Sequence, residues 1–221
     1  MKRGFTLVEM LVVIGIIAVL IGASIGGYSA MTKTAEKAKC QELVSNAATA
    51  LTQLFQQEGN WPKRLALKGG SDGELDADAA IPLAKGKYFS LTTTGSGKNL
   101  KLAGLDKFGI VTPWATAIIK RKGSSAQVSD QVNGVSTVKD HILHYALDLD
   151  GDGVIKGANV GGKAIDIRAT AAVWCCGKDG VMSPYPYGGG GGGDAGANKG
   201  KSGGKTDDVY SWAPGQTRNV Q

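Results

Sequence analysis

The sequence contains few of the residues from which catalytic and zinc centres are usually built. It has 3 cysteines and 2 histidines in 221 residues, and their spacing does not match a zinc site. His141 and His144 lie three apart in a predicted strand and should point to opposite faces, which argues against a shared metal or a catalytic pair. The sequence also lacks a Ser-His-Asp arrangement or another nucleophile motif. We therefore expect a protein that is not an enzyme.

The few cysteines leave the disulfide pattern open. Cys40, Cys175 and Cys176 form an odd set, and adjacent cysteines close only a strained small ring. An oxidising compartment would permit a disulfide, but sequence alone does not give the pairing. A bridge from Cys40 to one of the adjacent pair and a set of buried thiols are both open interpretations.

Basic residues are present but are not clustered. The formal net charge is +6, yet Lys and Arg are scattered without a run of five or more. This distribution predicts a solvated surface rather than a stripe that binds nucleic acid. The glycine tract at residues 188–193 is not part of a Gly-Lys-Ser/Thr motif that opens a helix, so it predicts a flexible surface loop. We expect no nucleic-acid partner.

A long uncharged run stands near the start of the sequence. From Met10 to Thr32 no charged residue occurs, and about 23 residues would span roughly 34 Å as a helix. The run is too long for a secretory signal peptide, whose apolar core has about 7–15 residues. Lys2 and Arg3 precede it, which predicts a cytoplasmic N-terminus and an exported C-terminal region.

Glu9 lies at the start of this apolar segment, where a buried carboxylate costs at least a few kcal/mol and predicts a functional partner. Residues 4–9, Gly-Phe-Thr-Leu-Val-Glu, resemble the motif of the type IV pilin and type II secretion pseudopilin superfamily. The resemblance implies that a prepilin peptidase cleaves between Gly4 and Phe5 and then methylates Phe5. It also implies that Glu9 neutralises the new α-amine of a neighbouring subunit during polymerisation. An ordinary membrane anchor with a stray Glu is the alternative.

The expected fold is α+β and pilin-like, with a long N-terminal helix packed against a small antiparallel sheet and a loop-rich C-terminal region. The predicted parts are a leader at residues 1–4, a membrane-spanning or filament-core half-helix at 5–32, an amphipathic half-helix at 33–58 and a globular domain at 59–221. Apolar residues at three- and four-residue steps predict the second half-helix, and Gly59 and Pro62 predict its end. Further predictions are a short helix at 76–81, ended by Pro82, and strands at 88–93, 100–102, 116–120 and 141–147.

The first of two aspartate groups predicts a calcium loop. Residues 148–155, Asp-Leu-Asp-Gly-Asp-Gly-Val-Ile, match the first half of an EF-hand loop. Asp148, Asp150 and Asp152 would supply carboxylates, and Val154 a backbone carbonyl. Asn159 stands where the bidentate Glu belongs, so an Asp/Gly turn without an ion is the alternative.

The second group lies near the C-terminus, where Gly-Lys-Asp-Gly at residues 177–180 is followed by Asp-Asp-Val-Tyr-Ser-Trp at 207–212. This pattern resembles the end of the major pseudopilin of type II secretion systems, a region that binds calcium. The resemblance implies Asp179, Asp207 and Asp208 as ligands; two solvated turns that never meet are the alternative. The segments at 59–62 and 106–109 resemble the same family.

Together these resemblances imply a bacterial inner-membrane subunit that crosses the membrane once and polymerises into a periplasmic pseudopilus for protein export. The implied partners are prepilin peptidase, further copies of the chain, other pseudopilins and an inner-membrane assembly platform. One alternative is a type IV pilin for adhesion, motility or DNA uptake. Another is a membrane-anchored calcium-binding domain that does not polymerise.

Overall fold

The first element of the computed structural model is a long helix, α1, from Leu7 to Glu58. The structure describes residues 7–95, 100–115, 138–177, 180, 182, 208–213 and 216–219. Gly59 ends the helix with a φ of 68°, and its amide donates to the carbonyl of Phe55 at 2.8 Å. A left-handed glycine is the common helix terminator, so the predicted end of the helix is confirmed.

The chain divides into two compact units, Met1–Ala38 and Lys39–Gln221. In the first unit, residues 7–21 of α1 are apolar on all sides apart from Glu9. Val12, Val13 and Ile14 follow one another about 100° apart around the axis, and their side chains are 52%, 47% and 63% exposed. Within the described residues, no helix is long and apolar enough to cross a membrane.

In the second unit α1 has one buried face. Its buried residues recur at three- and four-residue steps, as predicted: Cys40, Val44, Ala47, Leu51 and Leu54. They share a core with Tyr145, Leu147, Val173 and Cys175, which come from two strands of the main sheet. The expected α+β fold, with a helix packed on an antiparallel sheet, is confirmed.

Three antiparallel sheets follow the helix. The main sheet has the order β1-β4-β7-β8, formed by Gly73–Glu74, His144–Leu147, Ala171–Cys175 and Val209–Tyr210. A second sheet pairs β2, Thr93–Thr94, with β3, Lys101–Leu102. The third has the order β5-β6-β9, formed by Ile155–Val160, Lys163–Ile167 and Thr217–Asn219.

Strand β7 lies in the middle of the core. All five of its residues are buried. Ala171, Val173 and Cys175 belong to the core that contains α1, whereas Ala172 and Trp174 belong to a second core with the third sheet. The main sheet is therefore covered on both faces at this strand.

Two short helices follow α1 in the chain. Helix α2 spans Lys63–Ala66 and α3 spans Ala77–Lys85. The prediction that the second of these ends before Pro82 is wrong. Pro82 lacks an amide to donate, which removes one helical hydrogen bond. The next turn still forms because Leu83 is fully buried, and the amide of Gly86 donates to the Pro82 carbonyl at 3.0 Å.

The strand predictions are correct only in part. The strand predicted at 88–93 is reduced to Thr93–Thr94, because the amides of Tyr88 and Phe89 both turn back to the Leu83 carbonyl. The strand predicted at 141–147 begins only at His144, after a 3₁₀ turn at Lys139–His141. Residues 100–102 do form a strand, at Lys101–Leu102. The strand predicted at 116–120 lies outside the described residues.

Candidate functional site

Glu9 stands in the first turn of α1 and is exposed. Its neighbours Leu7, Val8 and Leu11 are apolar and 81%, 68% and 60% exposed. A carboxylate in the first turn is favoured by the helix dipole, but it would be costly to bury without a cation. Gly4 and Phe5, the predicted processing residues, lie outside the described residues.

The segment 148–154, called here the acidic loop, joins β4 to β5 and contains the first predicted calcium ligands. Carboxylate oxygens of Asp148, Asp150 and Asp152 all lie within 4.8 Å of one another. Asp148 is buried, whereas Asp150 and Asp152 are exposed. The spacing of alternate aspartates therefore brings three carboxylate oxygens close together.

Asp148 shapes the acidic loop from inside. Its Oδ1 accepts the amide of Gly151 and its Oδ2 accepts the amide of Gly153, both at 2.7 Å. The amide of Val154 donates to Oδ1 of Asp152 at 2.8 Å. These bonds are those of an Asp/Gly turn, the alternative raised above, yet each carboxylate oxygen has a second lone pair for a cation.

Lys156 supplies a positive charge to this loop, a contact the sequence analysis missed. Its Nζ lies 2.5 Å from Oδ2 of Asp150 and 2.6 Å from Oδ2 of Asp152. The contact with Lys156, and secondarily the hydrogen bond with Asp148, lowers the pKa of Asp150. The same contacts with Asp150 and Asp152 raise the pKa of Lys156.

The acidic loop has the type of ligand that a hard divalent cation prefers. Carboxylates are the ligands that calcium prefers, and an ammonium group already occupies the place where positive charge is needed. A calcium ion would have to displace Lys156 from the two exposed carboxylates. The only sequence signal for this contact is the position of Lys156 four residues after Asp152, directly inside β5.

The second predicted site is only partly described. Asp208 is buried, and its Oδ1 accepts the amide of Gly177 at 3.1 Å. It directly precedes β8, whose Val209 pairs with Cys175 of β7. The segment that ends at Gly177 and the segment that begins at Asp208 therefore meet in a hydrogen bond. Asp179 and Asp207 lie outside the described residues.

The two histidines have separate surroundings. His141 is buried in the 3₁₀ turn, with its Nδ1 3.3 Å from Oγ1 of Thr112. His144 lies in β4, with its Nδ1 2.8 Å from Oδ1 of Asp72. The prediction that one strand carries both is wrong, but each histidine still faces a different partner.

A family profile described as the prokaryotic N-terminal methylation motif matches residues 1–25. The chain is 33% identical over 85 residues to the competence protein ComGC of Bacillus subtilis (strain 168), covering 38% of this chain and 85% of that protein. The chain belongs to the type IV pilin-like superfamily. It is also 25% identical over 114 residues to the type IV major pilin protein PilE1 of Neisseria gonorrhoeae, covering 47% of this chain and 59% of that one.

A fimbrial protein of Neisseria meningitidis serogroup A is 29% identical over 97 residues, covering 44% of this pilin-like chain and 52% of that protein. The chain spans about half the length of the Neisseria pilins that it matches. No solved structure matches it significantly. The pilin relatives are structural proteins and not enzymes, in agreement with the prediction that the chain is not an enzyme.

Proposed function

We propose that this pilin-like chain is cleaved between Gly4 and Phe5 by prepilin peptidase, methylated on Phe5 and polymerised into a filament. The observation that carries the proposal is the apolar surface on every side of α1 in residues 7–21. A surface of this kind on a soluble monomer promotes association. A membrane before assembly, and neighbouring helices after it, would cover this surface.

Glu9 supplies the specificity of assembly in this proposal. Its carboxylate is the single charge between Leu7 and Thr32. Burial of that charge in a helical bundle is unfavourable unless a cation meets it. The α-amine of Phe5 on a neighbouring copy would be that cation, so assembly would neutralise two charges at once.

The finer proposal is a type II secretion pseudopilus. The C-terminal segment at residues 207–212 and the segments at 59–62 and 106–109 support it by their resemblance to major pseudopilins. The subunit would sit in the inner membrane with its globular domain in the periplasm. An assembly platform and other pseudopilins would add and remove copies, and growth of the filament would move proteins outward.

A second candidate is a type IV pilus for adhesion, motility or DNA uptake. The names of the relatives favour it, since they include major pilins of Neisseria and a competence protein of Bacillus subtilis. Deletion of the chain, followed by complementation with the wild-type chain, distinguishes the two candidates by the activity that is lost and restored. A strain lacking the chain should lose secreted protein from the medium under the secretion proposal, and DNA uptake or twitching under the pilus proposal.

The proposal includes calcium as a stabiliser of the globular domain. Asp148, Asp150, Asp152 and the Val154 carbonyl would hold one ion. A second ion would be held by the C-terminal carboxylates Asp179, Asp207 and Asp208. In each place calcium would supply the positive charge that several adjacent carboxylates need. Calorimetric titration tests this, since Asp150→Asn should remove one binding event and Asp208→Asn the other. A wild-type chain that releases no heat with calcium would contradict it.

Electron microscopy of cells that express the chain tests polymerisation. Glu9→Ala should abolish filaments, whereas Glu74→Ala, at an exposed position on β1, should leave them unchanged. Mass spectrometry of the filament protein should find methylated Phe5 at the N-terminus. Filaments formed equally well by Glu9→Ala would overturn the assembly role of Glu9. A chain that retains residues 1–4 and forms no filaments would favour a non-polymerising anchored domain.

A further inference from the structure

Cys40 and Cys175 bring their sulfur atoms together across the core of the globular domain. Cys40 lies on α1 and Cys175 ends β7, and the two Sγ atoms are 2.7 Å apart although the residues are 135 positions apart in the chain. Both side chains are fully buried. The separation is below ordinary contact between two unbonded sulfurs, although it is longer than the disulfide bond length of about 2.05 Å.

Cys176 is differently placed although it is the next residue. Its Sγ contacts the backbone carbonyl of Asp140, on the 3₁₀ turn that precedes β4. The two adjacent cysteines therefore contact different partners in the structure. Of the two, only Cys175 is described with its sulfur against Cys40.

We propose that Cys40 and Cys175 form an intramolecular disulfide when the domain folds in an oxidising compartment. The oxidant is a disulfide donor, either a small molecule or a protein. A Cys40 thiolate attacks the donor disulfide and releases one donor thiol. The Cys175 thiolate then attacks the Cys40 sulfur and releases the second donor thiol. Two protons and two electrons pass from the cysteines to the donor.

The surroundings of Cys175 determine whether the disulfide forms during folding or after it. The neighbouring Cys40 thiol and then burial raise the pKa of Cys175 well above its usual value. The thiolate is the reactive form, so the folded and reduced domain should react slowly with an external donor. The bond is therefore expected to close during folding, while both thiols are still accessible.

The disulfide would join α1 to the strand at the centre of the main sheet. It would close a chain segment that contains β1 to β6 and both short helices. A cross-link that closes so long a segment strongly reduces the conformational entropy of the unfolded chain. It therefore stabilises the folded state. This inference concerns the globular domain alone and does not depend on the proposed filament.

Peptide mapping of the full chain tests the pairing. The chain in detergent micelles is refolded from denaturant in a buffer of reduced and oxidised glutathione, blocked with N-ethylmaleimide and digested with trypsin without reduction. The expected product links residues 40–63 to residues 169–178, the tryptic peptides that contain Cys40 and Cys175. Fragmentation should place the link on Cys175 and the maleimide on Cys176.

Alanine variants supply the controls. Cys176→Ala should retain the link, whereas Cys40→Ala and Cys175→Ala should lose it. Reduction should lower the Tm of the wild-type chain by at least about 5 °C and leave the Tm of Cys40→Ala unchanged. A link to Cys176, a link between two chains or maleimide on all three wild-type cysteines would overturn the proposal. The peptide map of the wild-type chain tests the pairing of Cys40 with Cys175 even if a variant does not fold.

Discussion

The indole nitrogen of Trp61 donates a hydrogen bond of 2.6 Å to the backbone carbonyl of Asp148. The Trp61 ring also stacks on Phe55 in the last turns of α1, with ring centroids 4.7 Å apart. Asp148 is the first and most buried residue of the acidic loop. One side chain therefore links the end of the long helix to the loop proposed to bind calcium.

Removing this hydrogen bond alone should destabilise the domain modestly. Trp61→Phe keeps an aromatic ring against Phe55 but leaves the Asp148 carbonyl without the indole donor. We expect a loss of about 1 kcal/mol in the free energy of unfolding, measured by urea denaturation. Trp61→Ala should cost more because the stacking is also lost. Equal stabilities of the wild type and Trp61→Phe would show that the hydrogen bond contributes nothing.

The pH dependence of stability should report the contact between Asp150 and Lys156. The pKa of Asp150 is lowered in the folded domain, so between that pKa and the unfolded value near 4 the unfolded chain binds more protons. The stabilisation is present above about pH 4 and is lost as the pH falls through the folded pKa. Lys156→Met should make the loss on acidification smaller in urea midpoints measured from pH 6 to pH 2.

Lys101→Met is the matched control for this experiment, because Lys101 is exposed on β3 and lies in a different sheet. It should leave the acid dependence as it is in the wild type. If Lys156→Met and the wild type lose stability in parallel over this pH range, the contact does not set the titration of Asp150.

The same lysine should compete with calcium at the acidic loop. Calcium has to displace Nζ of Lys156 from Asp150 and Asp152 before it can reach both carboxylates. Lys156→Met removes the competitor and should raise calcium affinity by roughly tenfold. Calorimetry with Lys101→Met as the control measures this. Weaker calcium binding by Lys156→Met would contradict the proposed competition.

The buried carboxylate of Asp208 should contribute to stability without any ion. Asp208→Ala removes an acceptor of the Gly177 amide and should cost about 1–3 kcal/mol in urea denaturation. Asp208→Asn retains an acceptor oxygen and should cost less in the presence of a chelator. If calcium binds there, both variants should lose the part of the calcium stabilisation that comes from the C-terminal ion. An Asp208→Ala chain as stable as the wild type would exclude the structural role.

Periodicity predicted α1 because one stripe of small and aliphatic residues is buried over its second half, and Gly59 marks its end. It did not predict β7, Ala171–Cys175. Both faces of β7 are buried between two cores, so its residues do not alternate between apolar and polar. Strand prediction from alternation depends on one solvated face, and β7 has none.

Local spacing likewise predicted part of the candidate site. The aspartates of the acidic loop are neighbours in sequence, so their convergence could be predicted. The pairing of Cys40 with Cys175 depends on how α1 packs on the sheet, which no local pattern encodes. The contact of Lys156 depends on how the acidic loop leads into β5.

Gly109 provides the sharpest steric test of the fold. It has a φ of 112°, and a β-carbon built there would lie 2.6 Å from Cα of Asp76 and would also clash with the carbonyl oxygen of Leu75. These are backbone atoms that cannot rotate away, since the amide of Ile110 donates to the same Leu75 carbonyl at 2.9 Å. Gly109→Ala should therefore destabilise the domain by about 3 kcal/mol or more in urea denaturation.

Gly104→Ala separates the steric effect from the conformational one. Gly104 also has a positive φ, 62°, but a β-carbon there would meet no atom within 4 Å. Its substitution should cost only the left-handed backbone penalty of about 1 kcal/mol. If the two variants lose the same stability, the close approach of Gly109 to the start of α3 is not tight. A larger loss for Gly109→Ala supports the packing of the 106–109 turn against Leu75 and Asp76.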